Sequence, residues 1–277
     1  MSDILRFIGV NRDTTTAGPG KRLEFFTKGC IRGVISPCQG CFNESTWTFE
    51  GLYREMTIDE VVDICVKTAW NRQVTFCGGE PILQARAIAK VAKRLKDIDP
   101  TFHFVMYTAY KLDTLMKYGL KFTWIREKHG KAMFDALLRY SHSYQCFDRA
   151  ITTNWTLTAK KAEFTILTPE DVKELMLYID MIVDGDYQQD KRLTTNAYMH
   201  EGWFIGSSNQ RVIFGPASIR MGELKFLYAD EYNQQMQNAR TCKCCGHILT
   251  SDLSFCNKTC SIRYEQRQKE MTLIGEV

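Results

Sequence analysis

Hydrophobic and polar positions fall into a repeating order through the first 108 residues. Residues 21–28, KRLEFFTK, form an apolar run after the turn-rich stretch TTTAGPG and predict a strand. Residues 57–70, TIDEVVDICVKTAW, carry apolar residues at helical spacing, with Thr57 and Glu60 three apart as in a capping box. QVTFC, residues 73–77, is a short apolar strand ending on two glycines. An amphipathic helix over 82–95 and a strand FHFVMYT over 102–108 follow. Strand, helix, strand, helix, strand predicts an α/β fold of parallel units, with functional loops at the strand C-termini.

The pattern then loosens. Residues 111–131 are basic, with six Lys/Arg against two Asp/Glu, and AMFDALLRYS after them is helical. Phe164–Leu167 reads as a short strand before a helix start at Thr168-Pro169-Glu170-Asp171, and YIDMIVDG, 178–185, as a strand ending in Asp184-Gly185. A Glu/Gln/Arg-rich stretch near 230–240 leads into a cysteine-dense tail. We expect a main domain over 1–235, with an insertion at about 114–175, and a small module over 236–277.

Composition narrows the class. The 277 residues, 44% hydrophobic and 25% charged, suit a soluble globule with a real core. A net charge of +4 creates no dominant basic field. No apolar run has the length of a membrane span, and MSDILRFIGVNRD lacks the pattern of a signal peptide, so no membrane association and a cytoplasmic location are expected. Eleven cysteines, clustered rather than spread, then indicate metal ligation in a reducing compartment.

Cys30, Cys38 and Cys41 form the first group. Three thiolates on a four-iron cluster leave one iron open to a small molecule. A structural zinc would need a fourth ligand, which Cys65 or Cys77 could supply, so spacing alone leaves iron–sulfur, zinc and unliganded thiols open. Gly78-Gly79-Glu80-Pro81 ends the next strand. There the glycines allow close backbone approach, Glu80 could accept hydrogen bonds from an ammonium group, and Pro81 can open a helix; a tight turn with a solvated Glu explains the run equally well. An open cluster with this turn nearby makes a pocket for S-adenosylmethionine (SAM).

Five motifs in order carry a resemblance. They are Gly18-Pro19-Gly20 leading through LEFFTKGC to Cys38-Gln39-Gly40-Cys41 and Phe42-Asn43-Glu44-Ser45-Thr46-Trp47; Gly78 to Pro81; Thr108-Ala109-Tyr110-Lys111-Leu112-Asp113; Val183-Asp184-Gly185 with Tyr187; and Gly206-Ser207-Ser208-Asn209-Gln210-Arg211. In these the chain resembles the radical SAM superfamily and, within it, the glycyl-radical activases that serve anaerobic ribonucleoside-triphosphate reductase. It departs in Ala109, where the family has Gly, in the insertion, and in the seven residues between Cys30 and Cys38, a wider gap than the family's usual one.

The resemblance implies a partial (βα) barrel of radical SAM type. Cys30, Cys38 and Cys41 would ligate a [4Fe-4S] cluster and form the catalytic centre. Asn43, Gly78, Gly79, Glu80, Tyr110 and Asn209 would hold SAM. A flavodoxin- or ferredoxin-like donor would supply the electron, and the large subunit of the reductase would receive a glycyl radical. Phe42, Trp47 and Tyr187 could stack on adenine but serve a core equally well.

The tail, CKCCGHILTSDLSFCNKTCSIRYEQRQKE, carries Cys242-x2-Cys245-Gly246 and Cys256-x3-Cys260, the spacing of a closed four-thiolate Zn2+ site. It resembles small treble-clef-like zinc fingers; Cys244 is then spare and His247 a substitute ligand, with a second iron–sulfur cluster the competing assignment. Mixed charge along the segment leaves nucleic-acid binding open but not favoured. Two other functions remain on sequence: a radical SAM enzyme of the 7-carboxy-7-deazaguanine synthase kind acting on a small molecule, and a non-catalytic zinc-binding regulatory or nucleic-acid-binding protein.

Overall fold

The computed structural model describes residues 4–147, 160–194, 205–238, 242–244, 249 and 253–275. β1 (Ile4–Thr14) runs antiparallel to β2 (Arg22–Thr27), and a short helix α1 (Ile31–Ile35) follows in the cysteine loop. β3 (Arg54–Thr57) returns along β1 and passes into α2 (Ile58–Thr68). The capping box expected at its start is present, with Thr57 accepting from the Glu60 backbone and Glu60 from that of Thr57. β4 (Gln73–Gly78), a 3-10 turn at Pro81–Gln84, α3 (Ala85–Ile98), β5 (His103–Thr108) and α4 (Leu112–Tyr118) complete the regular first half.

The insertion has its own sheet. β6 (Leu120–Ile125), α5 (Arg126–Tyr140, broken at Gly130), β7 (Ser143–Cys146) and β8 (Lys161–Leu167) build three antiparallel strands in the order β6-β8-β7. Its aromatics Trp124, Phe134 and Phe164 meet edge-on, with ring centroids 4.7 and 5.2 Å apart, and belong to the same core as the main sheet. The chain then returns through α6 (Pro169–Tyr178), capped by Thr168 and Asp171, to β9 (Met181–Asp184), β10 (Arg211–Phe214), α7 (Gly215–Met221) and β11 (Lys225–Phe226). α8 (Ala229–Asn238) and α9 (Lys258–Gly275) flank the cysteine-rich tail.

The result is a mixed α/β fold around an open eight-stranded sheet in the order β11-β10-β9-β5-β4-β2-β1-β3. Only β2, β4, β5 and β9 run parallel; both edges are antiparallel, which the expected parallel repeat did not anticipate. Alternation along the central strands separates two faces. Leu23, Phe25, Val74, Phe76, Phe104, Met106 and Ile182 belong to the large helix-packed core. The other face carries Glu24, Phe26, Cys77 and Tyr107 toward a cavity at the cysteine loop. Among the described residues no helix is long and apolar enough to cross a membrane.

Candidate functional site at the cysteine loop

β2 delivers the chain to Cys30 at the C-terminal end of the parallel strands. The long gap to Cys38 is wound up rather than looped out: Cys30 caps α1, its sulfur accepting from the Gly33 N–H at 3.2 Å. The Asn43 N–H and the Trp47 indole N–H each reach Cys41 Sγ at 3.4 Å. Cys38 takes a hydrogen bond from the Arg32 side chain and one from the Tyr187 backbone. Each of the three sulfurs thus faces N–H donors, which stabilise thiolates and tune a bound cluster. Burial foremost and then the charge of Glu80 push the Cys30 thiol up to about 12. Metal ligation must therefore expel a proton there.

Sulfur spacing separates this group from the tail. Four thiolates around one zinc stand roughly 3.8 Å apart, from a Zn–S bond of about 2.3 Å. Among the described residues, Cys242, Cys256 and Cys260 are the cysteines that bring three sulfurs within 4.8 Å of one another, with Cys256 and Cys260 at 3.3 Å. Cys30, Cys38 and Cys41 are more widely set and line one cavity, which fits thiolates on separate irons of a cube better than thiolates on one ion.

Gly78 and Gly79 pack against the strand end that carries the loop. A Cβ on Gly78, whose φ is +97°, would lie 2.7 Å from the Thr27 nitrogen; one on Gly79 would lie 2.5 Å from the Gly29 oxygen. The N–H groups of Gly79 and Glu80 donate to Thr27 and Gly29 carbonyls, both at 2.9 Å. These glycines therefore serve an approach of chain to chain. Glu80 is 1% exposed; its carboxylate accepts from the Ile82 N–H at 3.2 Å and the Ala109 N–H at 2.9 Å. Burial lifts its pKa to about 7 in spite of these bonds.

The cavity, about 580 Å³, is lined by all three cysteines with Asn43, Gly78, Gly79 and Glu80. Phe42, Trp47 and Tyr187 also line it. Tyr110 and Asn209 are not among the lining residues. The Tyr110 hydroxyl is pushed up by burial and by the nearby charge of Glu80 and Cys30, while the Asn209 amide donates to the Asp186 carbonyl at 2.8 Å. From the same segment, Gly206 and Gln210 do reach the wall, and Gln210 Oε1 ties down the Gly206 and Ser207 N–H groups. Asp184 is fully buried under Arg211 and caps α4 through the Leu112 N–H. Glu24 and Tyr107 line the cavity without any local sequence signal, since Glu24 sits inside the apolar run LEFF.

In the tail, Cys242, Cys256 and Cys260 form a second cysteine-rich metal site. Cys245 and His247 lie outside the described residues, and Cys244 is not one of the three sulfurs that converge. The module rests on the main domain at Trp70, which packs with Cys242 and Cys260 and lies 4.1 Å from the Arg263 guanidinium.

Comparison with known proteins agrees with this layout. Residues 16–129 match the family described as a 4Fe-4S single cluster domain. The anaerobic ribonucleoside-triphosphate reductase-activating protein of Haemophilus influenzae is 30% identical over 105 residues, 36% of this chain and 65% of that protein. Its namesake in Vibrio cholerae is 30% identical over 103 residues, 35% and 64% of the two chains. The pyruvate formate-lyase-activating enzyme of Staphylococcus aureus is 36% identical over 88 residues, 30% and 34%. The chain thus spans less than two thirds of the length of these relatives. Over residues 16–129 the chain thus matches a 4Fe-4S-binding domain, and over about a third of its length it is similar to two sorts of activating protein.

Proposed function

We propose that the protein activates a partner enzyme by forming a glycyl radical on it, and that the partner is the large subunit of an anaerobic ribonucleoside-triphosphate reductase. The observation that carries this is one cavity bounded by three N–H-supported cysteines and by the buried Glu80 turn. When bound, a [4Fe-4S] cluster with SAM supplies one-electron cleavage of the sulfonium and a 5′-deoxyadenosyl radical able to take a hydrogen atom from a glycine Cα. Cys30, Cys38 and Cys41 hold the cluster. Glu80 orients an ammonium group, its remaining lone pairs being able to accept beyond the two backbone bonds. Asn43 lies on the same wall. Phe42 and Tyr187, with ring centroids 4.8 Å apart, offer an aromatic wall on that side. Tyr110 and Asn209 support the pocket from behind, and a flavodoxin- or ferredoxin-like protein supplies the electron. Zn2+ in the tail is held by Cys242, Cys256 and Cys260, with Cys245 as fourth ligand.

Anaerobic reconstitution with iron and sulfide, followed by EPR, tests the proposal. A reducible [4Fe-4S] signal that changes on adding SAM, with 5′-deoxyadenosine released under reduction, is expected; absence of both would sink the radical assignment. The pyruvate formate-lyase-activating relative supports a second partner. Incubation with each candidate partner separates the two, since only the true one acquires a glycyl-radical EPR signal.

A further inference from the structure

The mechanism above leaves unused a polar group on the sheet face of the same cavity. Glu24 is 7% exposed and pairs with no cation among the described residues. Its hydrogen-bond partners are neutral, the Cys77 thiol at 3.1 Å and the side chains of Thr14 and Asn11, and Arg22 acts on it through charge without a direct bond. Arg22, one strand step away, directs its guanidinium to Thr75, Gln73 and the carbonyls of Pro19, Val74 and His103. Two strands over, the Tyr107 hydroxyl is buried with no hydrogen-bond partner. Glu24, Cys77 and Tyr107 all line the cavity that holds the three cluster cysteines.

A carboxyl group kept out of water with no cation bonded to it is costly, and so is a buried hydroxyl with nothing to bond. Leucine or phenylalanine would fill these positions in an ordinary core. Placed together in a cavity, they offer one strong acceptor and one free donor. Register fixes their arrangement: Glu24 pairs with Thr75 and Thr75 with Val105, two residues before Cys77 and Tyr107, so Glu24 and Tyr107 lie diagonally across β2, β4 and β5, two strand spacings across and two residues along, roughly 12 Å apart. A peptide main chain presents the complement, one N–H and one C=O per residue.

We propose that Glu24, with Cys77 and Tyr107, is the subsite that receives the main chain of the hydrogen-donating substrate, Glu24 accepting a peptide N–H and Tyr107 donating to a peptide carbonyl. This rests on the protein-substrate assignment above and adds to it the group that holds the glycine segment. Cys77, whose thiol donates to Glu24, steers the carboxylate rather than ligating metal.

The test uses the reconstituted full-length protein with SAM and dithionite. The probe is acetyl-Ala-Gly-Ala-amide deuterated at the glycine Cα, at millimolar concentration, and deuterium is counted in the 5′-deoxyadenosine formed. We expect deuterium per 5′-deoxyadenosine to fall at least tenfold in E24A and several-fold in Y107F, with partial rescue in E24Q. The N-methylglycine peptide, which lacks the N–H, should transfer at least tenfold less than its parent in the unaltered protein, and E24A should erase that difference. E24Q and Y107F carry the test if E24A does not fold. Undiminished transfer in these variants, or equal use of both peptides by the unaltered protein, overturns the subsite alone. SAM cleavage by the unaltered protein without any deuterium transfer overturns the protein-substrate assignment and the subsite with it.

Discussion

Arg211 and Asp184 meet in a two-point ion pair beneath the cavity, Nε to Oδ1 at 2.8 Å and Nη2 to Oδ2 at 2.5 Å, with Asp184 wholly buried. Arg211 also reaches Asp113 at 3.0 Å, so the last residue of GSSNQR ties β10 to β9 and to the start of α4. Its role is structural. Removing Arg211 leaves the buried carboxylate with the longer Lys111 contact at 3.7 Å in place of a two-point pair, so R211A should lose about 3 kcal/mol in chemical denaturation. R211K should recover only part, because an ammonium cannot repeat the fork geometry.

G79A should be more damaging than its size suggests. The added methyl would meet the Gly29 carbonyl oxygen at 2.5 Å, in backbone that cannot swing aside as a flexible side chain could. Relief requires β2 and the cysteine loop to part, breaking the hydrogen bonds from Gly79 to Thr27 and from Glu80 to Gly29. We expect a loss of at least about 2 kcal/mol, the range of strained or overpacked sites, measured by denaturation of the metal-free protein. Iron uptake on reconstitution should fall with it.

What the sequence disclosed was largely local. Thr57 with Glu60 and Thr168 with Asp171 announce their helices because a capping box is complete within four residues. β4 and β5 announce themselves because both faces are covered, giving continuous apolar runs. β1 escaped notice because its second half, GVNRDT, is polar and partly solvated at the sheet's edge side. β6 and β7 were hidden in a polar stretch whose pairing partner, β8, lies some distance along the chain. Spacing and resemblance singled out Cys30, Cys38 and Cys41, which line one cavity, yet the helix that winds the long gap was not legible. Glu24 was invisible for a further reason: a cavity wall exists only after four separated strands align.

Glu80 gives a pH prediction. Burial raises it from 4.5 to about 7, so between those values the unfolded chain ionises this carboxyl while the folded one holds its proton. This group therefore makes the empty protein less stable as pH rises through that window. A bound ammonium favours the ionised form and reverses the preference. Affinity for SAM should accordingly rise with pH up to about 7 and level off above it, by at most about tenfold per pH unit. Isothermal titration of the anaerobically reconstituted protein between pH 5.5 and 8 checks this. E80Q should bind more weakly and lose the step near 7; a step that survives in E80Q would assign it to another group.

Metal removal should separate the two cysteine groups. Among its described residues the tail presents few buried apolar side chains beyond Cys242, Cys260 and their neighbours, and a structural zinc is worth about 10–16 kcal/mol to such a segment. The stacking of Arg263 on Trp70 adds only about 0.5–2 kcal/mol, so metal rather than docking decides whether the module holds together. A zinc-selective chelator should release one zinc per chain, expose α9 to proteolysis and change the Trp70 emission, read as the difference from W70F. C260A should reproduce the unloaded state without chelator. Cluster absorbance should persist in both cases, because Cys30, Cys38 and Cys41 belong to a separate cavity on β2 and the loop that follows it. Loss of the cluster in C260A would mean that the two sites depend on each other.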